Sequence, residues 1–118
     1  MVKLVKEIHP DSTFEMEGTV TTTKADLTNN LVPANKFARK VYSYLLINKS
    51  STPAGITFTI EKDTTVVRTI PEIMLDAYAV VSEQNELGLI TIPAGHNIKA
   101  QVTTGTGPVS CILRCYDL

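Results

Sequence analysis

Near its end the chain alternates apolar and polar residues with a period of two, and that pattern admits a sheet with one buried face and little else. In Asn97 to Thr104 the residues Ile98, Ala100 and Val102 alternate with Asn97, Lys99, Gln101 and Thr103. From Val109 onward Val109, Cys111, Leu113 and Cys115 share one side, and Ser110, Ile112, Arg114 and Tyr116 the other. Gly105-Thr-Gly-Pro108 lies between, with glycines free to take positive φ and a proline that starts a strand without needing a donor, so the pair reads as a β-hairpin. Upstream, Pro93-Ala94-Gly95 suits a type I turn with Ile92 at its first position.

The same period recurs along the chain. Phe14, Met16 and Val20 lie on one parity with Glu15, Glu17 and Thr19 opposite, and Gly18 between them suggests a bulge. Ala38 to Asn48 is apolar on both faces, Val41, Leu45 and Ile47 on one and Tyr42, Tyr44 and Leu46 on the other, as in a central strand. Ile56, Phe58 and Ile60 alternate with Thr57, Thr59 and Glu61, and Val66 to Ile70 is expected to pair back across Lys62-Asp63-Thr64. Pro71 to Ser82 stays open: Met74, Ala77, Tyr78 and Val81 have helical spacing, while Val80 and Val81 would equally end a strand. Met1 to Ile8, with Val2, Leu4, Val5 and Ile8 among Lys3, Lys6 and Glu7, fits no clean strand period and reads as an edge strand or an extended arm. Seven to nine short strands result, with turn signals every eight to twelve residues or so, the pattern of an all-β antiparallel sandwich or barrel with at most one short helix.

The 118 residues suit one domain, in which residues 1–30 supply an arm and first strand and residues 31–118 the sandwich. Eleven Lys and Arg against twelve Asp and Glu give a net charge of −1, so no long-range field recruits nucleic acid or an anionic membrane. No apolar run has the length of a signal peptide or a spanning helix, and synthesis in a cytosol is expected. Cys111 and Cys115, four residues apart on one strand, have Cα atoms about 13 Å apart, beyond the roughly 7 Å a disulfide allows. They are expected to be buried free thiols, with no further ligands nearby to make a metal site.

Candidate chemistry is sparse. His9 and His96 have no Ser, Cys or carboxylate at a catalytic spacing and read as solvated turn residues. Glu15 and Glu17 would sit about 7 Å apart, near the lower end of the separation in inverting glycosidases, yet exposed strand-face acids explain them more simply. Tyr42 and Tyr44 could stack on a sugar, but a buried or interface role fits them better. Gly105 and Gly107 lack the Lys-Ser/Thr or helix of a phosphate cradle. No enzyme activity and no cofactor are expected.

Leu31-Val-Pro-Ala-Asn-Lys36 leading into Tyr44-Leu-Leu-Ile-Asn-Lys49, then Ile56-Thr-Phe-Thr-Ile60, then Ile92-Pro-Ala-Gly-His-Asn-Ile98 before the closing strands, together resemble small β-sandwich virion proteins of tailed bacteriophages. The resemblance spans roughly residues 31 to 116. It implies a jelly-roll-like sandwich that acts as a capsid decoration (cement) protein, or a neck or tail accessory protein, usually as a trimer on a virion surface. His96 stands where that family often carries an acidic residue, so no cation role is expected there. With 43% hydrophobic residues and a central strand apolar on both faces, the chain is expected to self-associate. Val2, Leu4, Val5, Ile8, Tyr42, Tyr44 and Leu46 are the candidate interface residues, with the arm adding a strand to a partner such as a major capsid protein. The alternative, from a different class, is a carbohydrate- or receptor-binding module such as a tail-fibre or lectin-like domain.

Overall fold

The computed structural model describes residues 13–28 and 38–118. Two antiparallel sheets face one another. The first contains β1 (Thr13–Val20), β10 (Val109–Asp117), β3 (Arg39–Asn48) and β7 (Val80–Gln84) in that order, with β8 (Ile90–Ile92) beside the first half of β3. The second contains β2 (Ala25–Asp26), β9 (Asn97–Thr104), β4 (Ala54–Lys62) and β5 (Thr65–Thr69), with β6 (Ile73–Leu75) also on β4. Pairing is nested: β1 with β10, β2 with β9, β3 with β7 and β8, β4 with β5 and β6. That is a long antiparallel ribbon rolled into two layers, the jelly-roll arrangement. Among the described residues there is no helix.

Nested pairing corrects the reading of Gly105–Pro108. β9 and β10 belong to different sheets, so the loop carries the chain across the sandwich rather than turning a hairpin. Both flanking strands point their apolar sides into one core, and Gly105 (φ +71°) and Gly107 (φ +66°) make the sharp reversal. An added Cβ at Gly105 would collide with the Pro53 carbonyl oxygen. The hairpin expected between β4 and β5 is present, with Asp63 and Thr64 both at positive φ as a type I′ connection requires.

Two further expectations change, and the stretch left open resolves as strand. The turn after β8 is shifted by one residue: the His96 amide donates to the Pro93 carbonyl at 3.1 Å, and Gly95 takes the positive φ of a type II turn's third position. Gly18 marks no bulge, because β1 keeps an unbroken register with β10, and its missing side chain makes room for Leu27. Pro71–Ser82 holds the short β6 and the start of β7, joined by a tight turn with Tyr78 at φ +55°.

The most consequential correction lies in β3. Ser43 pairs with Arg114 while Val41 pairs with Cys115, so Tyr42 is one residue extra opposite a regular β10. A bulge reverses the parity of every residue beyond it. Arg39 and Val41 point inward before it, and Leu46 and Asn48 after it. Val41, Leu45 and Ile47 therefore do not share a face.

The core is made where Met16, Val41, Leu46, Leu113 and the two cysteines of the first sheet meet Ile56, Phe58, Ile60, Ile98, Ala100 and Val102 of the second, all essentially inaccessible. Buried polar groups at its ends are satisfied. The Arg39 guanidinium lies 4.6 Å over the Phe14 ring and donates to Asp117 at 2.8 Å, joining β1, β3 and β10. The Asn48 amide donates to the carbonyls of Thr52 (2.9 Å) and Asp76 (3.0 Å) and accepts from the Ser50 amide, tying two loops to the end of β3. Phe58 is the largest side chain fully inside, so Phe58→Ala is expected to cost about 3 to 5 kcal/mol in a chemical denaturation series. A cost under about 1 kcal/mol would contradict its place in the core.

Candidate functional site

The two outer faces differ in chemistry. On the second sheet, Thr57 and Thr103 share a hydroxyl hydrogen bond of 2.7 Å, Gln101 donates to the Thr22 carbonyl, and Glu72 accepts from Thr103 and Thr104. Glu61 is the one deeply sunk acid among the described residues: Lys24 reaches it at 2.7 Å, Lys99 at 3.8 Å and the Thr59 hydroxyl at 3.1 Å. The hydrogen bond from Lys24 holds its carboxyl below the usual range against the opposing effect of burial. Lys24 precedes β2, so this ion pair fastens the short second strand to the sheet. The group is fully paired and has the geometry of a clasp.

On the first sheet the outer face is apolar in its middle. Ile112 lies opposite Leu45, and Ile47 opposite Val80, by the pairing of β10, β3 and β7. Ile112, Leu45 and Ile47 are half-buried by their neighbours, and Val80 is 63% exposed. Glu15 and Glu17 line the β1 margin, Glu15 within 3.5 Å of Arg114. Among the described residues, shallow depressions on the face include about 310 Å³ between Glu17, Thr28, Ser110 and Ile112, about 280 Å³ between Phe14, Glu15, Tyr42 and Arg114, and about 200 Å³ between Ser43, Leu45, Ser82 and Ile112. Concavity, an apolar centre and a charged margin are the features of a binding face.

The sequence-derived candidates fall in different places. Val2, Leu4, Val5, Ile8 and His9, like the Pro33-Ala34-Asn35 corner, lie outside the described residues. Tyr42, the bulged residue, lies on the outer face, its ring 5.8 Å from that of Tyr116, whose hydroxyl donates to the Glu86 carbonyl. Tyr44 is half-buried and packs against the core, its phenol pushed up by burial and by Glu83. Leu46 is fully inside and offers no surface to a partner. Leu45 and Ile47 take its place on the outer face; the bulge that turns them outward has no signature in residue type. Glu15 and Glu17 are exposed strand-face acids, and His96 sits in its turn with Nδ1 2.9 Å from the Ala94 carbonyl. Among the described residues no three His, Cys, Asp or Glu are grouped to hold a metal ion.

Cys111 and Cys115 are free and buried. Burial pushes both thiols up to about 12, Cys111 also through Cys115, while at Cys115 Arg39 partly opposes the rise.

No protein-family model matches the chain, and no curated protein matches it. Among solved structures it is similar to a chain of the Bacillus endospore appendages, which form a novel family of disulfide-linked pili. That match has 15% identity and a TM-score of 0.48, and it covers 90% of this chain and 85% of the other.

The buried groups lend themselves to two measurements. Native protein at pH 8 is expected to react slowly with a thiol reagent and to release two thiols when denatured, because the reactive species is the thiolate. Rapid reaction of either thiol in native protein would contradict its burial. A carboxyl held low contributes stability that is complete above its unfolded value, near 4.5, and is lost as pH falls through its lower folded value. Urea midpoints between pH 6 and 3 should thus decline less steeply for Glu61→Gln than for the parent chain. Equal slopes would remove Glu61 from the acid response.

Proposed function

We propose that the protein is a non-enzymatic structural subunit, of the capsid-decoration type, that holds larger assemblies together through protein–protein contacts and associates with itself as a trimer. One observation carries the reading: the Ile112, Leu45, Ile47 and Val80 strip on the outer face of a sheet whose inner face already fills the core. A two-layer sandwich covers one face of each sheet, and an apolar outer face gains by meeting another subunit. The jelly roll is a scaffold that viral capsid domains use, and the sequence resemblance points the same way. Its partners would be copies of itself and a major capsid or other virion protein, with no nucleic acid, membrane or cofactor required.

A second reading, a carbohydrate-binding module, rests on the depression between Phe14, Glu15, Tyr42 and Arg114, where an aromatic ring and charged groups converge. Lectin domains use the same scaffold. A glycan array separates the two, since decoration gives no defined ligand.

Light scattering at micromolar concentration is expected to give three times the 12.9 kDa chain mass, and Ile47→Lys on the outer face to lower it. A monomer mass for the parent chain would overturn the assembly reading.

A further inference from the structure

We infer that the outer face of the first sheet is the seat for residues 1–8 of a neighbouring copy of this chain, laid across it as an amphipathic segment. The inference rests on the assembly reading above and names the occupant of the face.

Position and length supply the first argument. β1 opens at Thr13, opposite Tyr116, on the margin of the first sheet, and twelve residues precede it. With residues 9–12 extended and residues 1–8 wound as a helix they reach about 25 Å, while crossing from β1 to β7 takes three strand spacings, about 14 Å. β1 opens at the end of its sheet, so covering that same sheet's outer face would take a reversal of the chain ahead of Thr13, which a neighbour's face does not require. Running the length of the β1 edge as an added strand is blocked, because the Thr28 amide and hydroxyl both donate to the Glu17 carbonyl, at 2.8 and 2.9 Å.

Chemistry supplies the second. Met1, Leu4, Val5 and Ile8 fall on one side of a helical turn, with Lys3, Lys6 and Glu7 on the other. The face offers the complement, Ile112, Leu45 and Ile47 in the middle and Glu15 and Glu17 along the β1 margin. Leu4, Val5 and Ile8 cover the strip while Lys3 and Lys6 lie toward the acids.

Shape and area supply the third. Four strands about 4.8 Å apart and averaging eight residues give the face a footprint of roughly 500 Å². Depressions of about 200 to 310 Å³ suit the side chains of a slender segment.

The test uses full-length chains. One batch carries Val5→Cys and another Ser82→Cys, the latter exposed at the depression beside Leu45 and Ile112. The two are mixed and oxidised with copper phenanthroline, the buried native thiols remaining silent. A disulfide joining one copy of each is expected at least tenfold above the yield with Gln101→Cys on the opposite sheet. Val80→Asp, which alters only an exposed position, and Leu45→Asp should each cut that yield about tenfold. Equal linkage to Ser82 and Gln101 positions, or none, would overturn the inference. So would a doubly substituted chain that closes on itself when the mixed chains do not link, because the segment would then belong to its own copy. An oligomer by light scattering without the link fails this inference alone. A monomer fails the assembly reading with it.

Discussion

The structure depends on β10 being paired along both edges. β1 lies on one side of it and β3 on the other, so the first and last described strands are neighbours. Val109, Cys111, Leu113 and Cys115 form an unbroken inward row that the second sheet covers with Ile98, Ala100 and Val102. The cysteines act here as small apolar side chains, sized for the interior of a thin sandwich. Closing a ribbon in this nested way makes most pairings distant in sequence, so β10 completes the sheet only when strands far upstream are in place. The Arg39, Asp117 and Phe14 cluster at one end locks the three strands in register at the point where the row runs out.

The outer surfaces derive from the same row. β3 must match a regular β10 at both of its ends, with Val41 against Cys115 and Leu46 against Cys111. Those pairs have opposite parity in β3 and equal parity in β10. A single inserted residue, Tyr42, reconciles them. Its ring then packs on Tyr116 outside the core, an aromatic pair of the kind worth about 0.5 to 1.5 kcal/mol.

Strand identity was legible in the sequence wherever one face was buried. β9 and β10 match their alternating runs, β4 contains its own, and the inward sets Ile98, Ala100 and Val102, and Ile56, Phe58 and Ile60, are those the alternation marked. Partnership was less legible. Gly105-Thr-Gly-Pro108 has the residues of a hairpin because a crossing between sheets needs the same positive φ, and turn chemistry does not encode which sheet comes next. The face of Leu45, Leu46 and Ile47 was illegible for a different reason. In a run of consecutive apolar residues, parity is set by the partner strand, and the bulge is visible only in the pairing.

Asn48 shows what that parity decides. Were β3 regular through Tyr42, with no bulge, the inward position of Val41 would carry Leu45 and Ile47 into the core and turn Leu46 and Asn48 outward. The core would gain two branched aliphatics, but the carbonyls of Thr52 and Asp76 would lose the buried amide that holds their loops. Anchoring those loops inside leaves Leu45 and Ile47 outside, where they join Ile112 and Val80. The apolar strip is thus a geometric consequence of how β3 meets β10. An outer face that is apolar for a structural reason still gains free energy when covered, at roughly 25 cal/mol per Å² of apolar surface removed from water. That gain is available to whatever segment or subunit fits the depressions on this face.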